Sequence, residues 1–494
     1  MPSPVQTLIH RLLQTGDVQR QSFLHFGTSV SVMVLGFLST MAITHLTESP
    51  GVPGGYFLFL AYLGIFSLIS SGGLGGAAVS LMGLEGRRIE YFSAYLTLRI
   101  ILLSGSMILL VLLAPVLVDL STAGLLPWLI GAVVATACVD ITGTWLYGSG
   151  RAGYIQISTL IQNLVRILVQ VLAIMAGFGV AGLAGGVIAG LIAGSLYLIP
   201  ICRVRPGQFS RQAAEDLIRF SFWSLLASGG MVIYGNIDTI LLGYYGSSSD
   251  VGLYRIALQL ASFALFSALA LNTILYPKFA SWRSDERKEW IPGALARAVS
   301  YSLLLALPVC VGGMILGNRL LYFLYGSPYQ AADLVLSLLL MAQVAYVFVF
   351  LWTMTLSALG LPRSAAVPAL IASAMNIPLN LLLIPAYGIT GAGAAILITV
   401  IIHVFVAGRI LSRHIPLTPD MRAIRSIGIA TLTMAFVIVL WVLIIPLTHV
   451  LLVAGCVLLG AGTYFLTLVR LERGINNALR VMMQEMGIVF PDWL

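Results

Sequence analysis

The chain has 494 residues, 59% hydrophobic and only 9% charged, with a mean hydropathy of +1.00 and a formal net charge of +8. A soluble domain carries about 25% charged residues, so an ordinary water-soluble fold is excluded, and long apolar runs without two-residue alternation exclude a β-barrel. The bases are spread over many short loops rather than gathered in one patch, which excludes a nucleic-acid partner.

In chain order, an amphipathic stretch comes first. Val5, Leu8, Ile9, Leu12 and Leu13 recur at helical spacing, with His10, Arg11 and Gln14 opposite. That is the pattern of a helix lying in the membrane interface. No apolar core of a cleavable signal peptide precedes the first span.

A spanning helix needs about 20 mostly apolar residues. Fourteen such segments follow, near 22–46, 53–82, 91–118, 123–148, 153–177, 181–202, 217–243, 251–277, 293–317, 332–358, 365–385, 388–408, 426–446 and 449–469. The turn Gly148-Ser149-Gly150 divides segments 4 and 5, and Pro385-Ala386-Tyr387-Gly388 divides 11 and 12. In the tail, Ile475, Leu479, Met482 and Met486 form a second amphipathic stripe. Both stripes read first as anchors, with partner binding as the other reading.

Twenty of the 26 Lys and Arg residues fall in every other gap between segments, or at the two ends. They are Arg11, Arg20, Arg87, Arg88, Arg151, Arg203, Arg205, Arg211, Lys278, Arg283, Arg287, Lys288, Arg363, Arg409, Arg413, Arg422, Arg425, Arg470, Arg473 and Arg480. The opposite gaps hold Arg319 as their one base, with Glu48, Asp119, Asp250 and Asp333. Because cytoplasmic loops collect Lys and Arg, the expectation is a multi-pass protein of the cell inner (plasma) membrane with both termini in the cytoplasm.

Segments 1–6 and 7–12 read as two copies of one unit. Gly54-Gly55-Tyr56 opens segment 2 and Gly252-Leu253-Tyr254 opens segment 8. Asn163 and Asn376 each follow a basic turn by about a dozen residues, and Gly179–Gly185 matches Gly388–Gly393. An even number of spans per copy makes the repeat parallel, about an axis along the membrane normal. The predicted fold class is an all-α integral membrane protein of about 14 transmembrane helices. It has two six-helix lobes around a central cavity, plus a C-terminal pair. The domains expected are an amphipathic segment 1–21, an N-lobe 22–202, a linker 203–216, a C-lobe 217–411, the pair 412–469 and a tail 470–494. Segment 6 carries Gly182, Gly186, Gly190 and Gly194 at strict four-residue spacing, and segment 12 has Gly391, Ala395, Thr399 and His403 at the matching places. Such a ridge reads as close helix packing, or as a sliding seam.

Ionisable groups inside spans cost about 2.5–3.5 kcal/mol on insertion scales and usually mark function. Arg166 sits near the middle of segment 5, where it either faces an anion or pairs with a carboxylate such as Asp140. Arg99 lies two turns into segment 3 and reads as snorkelling or as cavity lining. Arg255, near the outer end of segment 8, and Asp238, near that of segment 7, could pair. Asp140 faces Arg99 or Arg166, or binds a coupling cation. His403 reads as an interior histidine or a proton relay, and Arg219 and Arg297 as snorkelling bases. Pro308, Pro378 and Pro385 mark kinks or helix ends. Buried Arg outnumbers buried Asp, so a cavity collecting these groups would be cationic and suit an anion. Cys138, Cys202, Cys310 and Cys456 have no metal-ligand spacing and read as inert buried thiols.

The stretch Asn236-Ile-Asp238-Thr-Ile-Leu-Leu-Gly243-Tyr-Tyr-Gly246, then Val251-Gly252-Leu-Tyr254-Arg-Ile-Ala257 and Leu275-Tyr-Pro277, resembles the polysaccharide-export family. That family holds O-antigen and exopolysaccharide repeat-unit flippases and belongs to the multidrug/oligosaccharidyl-lipid/polysaccharide exporter superfamily. The run Gly388–Ala394 is similar to the family's opening of helix 12. The resemblance covers residues 20–470. It implies alternating access and an undecaprenyl-diphosphate-linked oligosaccharide as substrate, carried from the inner to the outer leaflet. Arg166, Arg99 and Arg255 are then candidates to engage the diphosphate or acidic sugars. Partners implied are the lipid-linked glycan, membrane lipid, and a polysaccharide polymerase and glycosyltransferases of the same process. No catalytic residue, metal or cofactor is expected, although Na⁺ or H⁺ could serve as coupling ion.

Three rivals stay open. A lipid II or teichoic-acid precursor flippase would use the same cavity logic. An ion-coupled multidrug exporter would favour acids over bases. A membrane glycosyltransferase or polymerase needs reactive groups converging in a loop, for which the 318–331 connection is the one candidate. There is no nucleotide-binding motif, so energy would come from an ion gradient, the membrane potential or removal of product.

Overall fold

The computed structural model describes residues 17–83, 87–115, 124–202, 207–285 and 287–472, with side chains described outside 17–30, 223–224, 226–228, 231 and 273. The two amphipathic stripes and Asp119 lie outside the described residues. All regular structure among the described residues is helical. The chain divides into two compact units, Met1–Ser249 and Asp250–Leu494.

The first unit holds α1 (Asp17–Thr47), α2 (Gly51–Ser71), α3 (Leu74–Met82), α4 (Arg88–Leu113), α5 (Leu126–Gly148), α6 (Ala152–Met175), α7 (Gly179–Leu198) and α8 (Arg211–Tyr245). The second holds α9 (Ser248–Ala261), whose first two residues close the first unit, and α10 (Phe266–Ser284), joined to α9 by a 3-10 turn at Ser262–Leu265. It continues with α11 (Trp290–Tyr325), α12 (Asp333–Ala358), α13 (Pro362–Leu411), α14 (Met421–Ile444) and α15 (Val450–Leu471). The seventh predicted span, α8, which the sequence reading gave to the second lobe, falls in the first unit and packs on α2, α3 and α4.

Among the described residues, eleven helices are long and apolar enough to cross a membrane. They account for twelve of the fourteen predicted spans, because α13 is a 50-residue run holding two. Gly388, at φ 57° and ψ −132°, interrupts its helical geometry. The arms on either side touch, since Asn376 Nδ2 lies 3.4 Å from Thr399 Oγ1, so α13 is a hairpin. The remaining two predicted spans fall on α1 and α8, each of which includes residues outside the side-chain description.

The sequence predicts one continuous helix over 53–82, and the structure corrects this. α2 ends and α3 begins at Gly72 and Gly73, both at positive φ (53° and 70°). Only glycine takes that conformation without strain. A Cβ at Gly73 would also lie 2.8 Å from Leu225 N and 2.9 Å from Ser221 O, so the α8 backbone comes close at the break. Pro308 and Pro378 lie inside helices, whereas Pro385 stands at the end of the first arm of α13, three residues before the break at Gly388.

Around the start of α4, Leu74, Ala77, Met82, Tyr91, Phe92, Tyr95, Ala213 and Leu217 form a buried cluster. In the second unit, α14 and α15 pack on α11 through Leu316, Ile427, Met434, Ile438 and Cys456. Tyr464 of α15 also donates to the Leu304 carbonyl of α11 at 2.6 Å. All four cysteines are free. Cys310 and Cys456 are buried as expected, but Cys138 is exposed, because it lies on the outer face of α5. Cys202, just past α7, is half-buried, and burial pushes its thiol above the ordinary range.

Candidate functional site

The polar interior of the first unit is built on α4 and α5. Arg99 Nη2 donates to Asp140 Oδ2 at 2.7 Å, and Arg99 Nη1 lies 3.4 Å from Ser70 Oγ on α2. One turn along each helix, Thr144 Oγ1 donates to Tyr95 Oη at 3.2 Å. A further step brings the Phe92 and Trp145 rings edge to face, 5.1 Å apart. The paired positions run in opposite directions, as a four-residue step on antiparallel helices requires. Of the two arginines the sequence offered Asp140, the structure gives it Arg99.

The Arg99 side chain is 1% exposed and that of Asp140 42%. Arg99 therefore does not snorkel, contrary to one of its two sequence readings; Ser70 and Asp140 hold its guanidinium inside the helix bundle. A ligand approaching the pair would meet the carboxylate first. Leaving a buried arginine without its acid costs several kcal/mol, which explains why this Asp accompanies it.

Arg166 is held differently. It lies half-buried on α6, beside the glycine ridge of α7. A methyl group at Gly186 would overlap Gln170 Cγ, and one at Gly190 would lie 3.1 Å from Arg166 Cβ. One at Gly194 would overlap the Gln162 side chain. The ridge is therefore a packing seam against α6. Across it Ser158 Oγ donates to Gly194 O at 3.1 Å and Gln170 Nε2 to Leu183 O at 3.0 Å. Asn163 bonds within its own helix, to Thr159 O at 2.8 Å. The Arg166 Nε is buried and hydrogen bonds to no group among the described residues. Sequence depth finds this residue, but the glutamines beside it carried no signal until the ridge was seen to face them.

The other predicted residues lie apart from this seam. Asp238 is 4% exposed on α8, and Arg255 is half-buried on α9. His403 is buried on the second arm of α13, and its Nε2 has no hydrogen-bond partner among the described residues. Nearby on α13 an uncharged cluster, missed by a search for ionisable groups, joins Asn376, Asn380 and Thr399. Asn380 Nδ2 donates to Asn376 O and Oδ1, each at 3.0 Å. Arg219 and Arg297 are exposed, as bases reaching for the interface would be. In the 318–331 connection Tyr325 and Tyr329 are buried with rings 5.9 Å apart, and Gln330 Nε2 donates to Asn318 Oδ1 at 2.7 Å. Asn318 and Tyr325 stand on the last turns of α11 and Tyr329 and Gln330 on a 3-10 turn at Ser327–Ala332, so these contacts join two helical pieces. No group of three or more His, Cys, Asp or Glu suited to a metal occurs among the described residues.

Two proteins of Haloferax volcanii are similar to this chain over most of its length. "Probable flippase AglR" is 26% identical over 481 residues, covering 94% of this chain and 98% of its own. "Probable low-salt glycan biosynthesis flippase Agl15" is 24% identical over 432 residues, covering 85% and 89%. Among solved structures, the lipid II flippase MurJ in an inward closed conformation matches with a TM-score of 0.78 at 16% identity, over 92% of this chain and 99% of that one. An inward-facing multidrug resistance transporter of the MATE family matches with a TM-score of 0.63 at 17% identity, over 77% and 96%. These two likenesses show a shared fold. The polysaccharide biosynthesis protein family matches residues 60–333, more than half of the sequence, in agreement with the resemblance carried by the Asp238 to Pro277 region. This chain is therefore a membrane protein of the MurJ and MATE fold and belongs to the polysaccharide biosynthesis protein family.

Proposed function

We propose that the chain is a flippase that carries a lipid-linked oligosaccharide across the membrane by alternating access. The observation that carries the reading is Arg166, a cation well inside α6 whose buried Nε meets no acceptor among the described residues. A guanidinium at that depth costs about 2.5–3.5 kcal/mol to insert, and a transported anion would recover that cost. Arg99 is already matched by Asp140, so its part in this reading is to hold the α4–α5 interior in shape. The family and the flippase names of the two relatives support the substrate class.

In its finer form the substrate is an undecaprenyl-diphosphate-linked repeat unit for O-antigen, exopolysaccharide or capsule, moved outward across a bacterial inner membrane. Arg166 and Arg255 engage its diphosphate or acidic sugars. Both termini are cytoplasmic, and a cation gradient acting through Asp238 or His403 is the route for energy input.

The test is translocation of a radiolabelled lipid-diphosphate oligosaccharide in inverted membrane vesicles, with wild type, Arg166→Ala and Arg166→Lys at equal abundance. The expected result is transport by wild type, loss in Arg166→Ala and partial retention in Arg166→Lys. Undiminished flipping by Arg166→Ala would remove this residue from the site. No flipping by wild type, with efflux of a cationic dye instead, would replace the reading with drug export.

A further inference from the structure

The basic end of the first unit contains a cavity of about 490 Å³ lined by Arg88, Trp145, Ser149, Arg151, Pro200 and Ile201. Sequence reasoning used Arg88 and Arg151 only as markers of orientation. In the structure, residues from four helix ends bring them to one cavity, at the start of α4 and α6 and the finish of α5 and α7.

The walls are fixed. Trp145 is half-buried and packs edge to face on Phe92, at the margin of the buried cluster around α4. Arg88 Nε lies 3.5 Å from Met82 O, which tethers the guanidinium while leaving its terminal nitrogens available. Arg151 has no ion-pair partner among the described residues, and neither has Arg88, since the adjacent Glu90 is taken by Arg87 at 3.0 Å.

The backbone adds to the positive character. The last carbonyls of α5 are occupied: Trp145 O, Tyr147 O and Leu146 O accept from the amides of Ser149, Gly150 and Arg151. Ser149 Oγ donates to Leu146 O as well. The first-turn amides of α6, by contrast, have no side-chain cap, and its N-cap position is Arg151 itself. Two guanidiniums thus face a space large enough for a phosphate group, and the uncapped start of α6 lies next to it in the chain. An indole, of the kind that sits at the headgroup level of a bilayer, forms one wall. Basic pockets between helix ends on the cytoplasmic side are suited to acidic lipid headgroups.

We infer that this cavity binds the phosphate headgroup of an anionic membrane phospholipid in the leaflet on the basic side. Arg88 and Arg151 grip the phosphate, and Trp145 and Ile201 lie along the glycerol and upper acyl region. The site is independent of the transported substrate and does not depend on the flippase reading.

The experiment is native mass spectrometry of the purified full chain released from detergent, titrated with phosphatidylglycerol, phosphatidylcholine or inorganic phosphate. Wild type should retain phosphatidylglycerol at concentrations where phosphatidylcholine leaves no adduct. Arg88→Gln/Arg151→Gln should lower phosphatidylglycerol occupancy at least tenfold. Arg88→Lys/Arg151→Lys should keep a substantial part, and Arg422→Gln/Arg425→Gln, at another basic connection, should match wild type. Should the Gln pair fail to elute as a single species, Arg151→Gln alone carries the test, since that side chain is exposed. Wild-type phosphatidylglycerol retention in whichever variant is read would overturn the inference. Displacement of bound phosphatidylglycerol by inorganic phosphate at equal concentration would overturn the lipid as the source of the phosphate.

Discussion

Along the α6–α7 hairpin the chain puts glycine at four successive contact positions, Gly182, Gly186, Gly190 and Gly194, and lays them against Ala173, Gln170, Arg166 and Gln162. The matching positions on the second arm of α13 are Gly391, Ala395, Thr399 and His403, and only the first remains bare. In the first hairpin, polar side chains on one helix reach carbonyls that glycine uncovers on the other, as Gln170 does at Leu183 O and Ser158 at Gly194 O. In α13 the polar groups face one another as side chains, Asn376 with Thr399 and Asn380 with Asn376. The contrast teaches that a helix pair in lipid can bring its backbones close or carry functional groups in the seam, and each position does one or the other. The first unit carries an ion pair between α4 and α5 and a further cation, Arg166, in the α6–α7 seam, whereas the α13 seam holds amides, a hydroxyl and His403.

The largest expected effect probes that charge difference. Asp140→Ala leaves Arg99 buried without its acid and should cost about 3 kcal/mol, the lower end for a broken buried pair because Asp140 is partly exposed. Unfolding by SDS titration reads this, and Arg99→Met/Asp140→Ala should recover most of the loss. A single Asp140→Ala within a few tenths of wild type would show the pair to be incidental. Next is Gly190→Leu, which drives a side chain into Arg166 and Gln162 and should cost about 2 kcal/mol by overpacking. If it is tolerated as well as Ile188→Leu, the α6–α7 seam is not close-packed. Thr399→Val keeps shape and removes the hydroxyl that Asn376 meets, so about 1 kcal/mol is expected. A double-mutant cycle with Asn376→Ala should return a coupling near the roughly 0.6 kcal/mol average for such bonds in membranes. The smallest effect is Gln170→Leu at about 0.5 kcal/mol, because Leu183 O still has its own helical donor.

Much of this architecture was legible in the sequence, for a physical reason. Bilayer thickness fixes span length, so fourteen apolar runs map onto the observed helices without reference to packing. What failed is equally physical. Gly72-Gly73 sits inside an apolar run and hydropathy does not register φ, so the break between α2 and α3 was invisible. Depth along a helix identified Arg99, Arg166 and Asp140 as interior groups but could not pair them. Pairing depends on which helices are neighbours, and α4–α5 adjacency settles it for Asp140. The Asn376–Asn380–Thr399 cluster escaped because uncharged amides draw no attention in a census of ionisable residues. Cys138 was misjudged because an apolar segment has a lipid-facing side as well as a packed one.

The seam between α6 and α7 also bears on how the protein is made. Taken singly, α6 would bring Gln162, Asn163, Arg166 and Gln170 into hydrocarbon, whereas α7 is apolar and, on the face it turns to α6, offers glycine-bared carbonyls. A nascent chain halted at Met175 should therefore insert its last span poorly in a glycosylation-mapping assay, and one halted at Leu198 should insert both. The tight turn at Gly177 and Gly179, each at positive φ, sets the two helices side by side across a link of three residues, so the expected outcome is that the two spans enter the membrane as one piece.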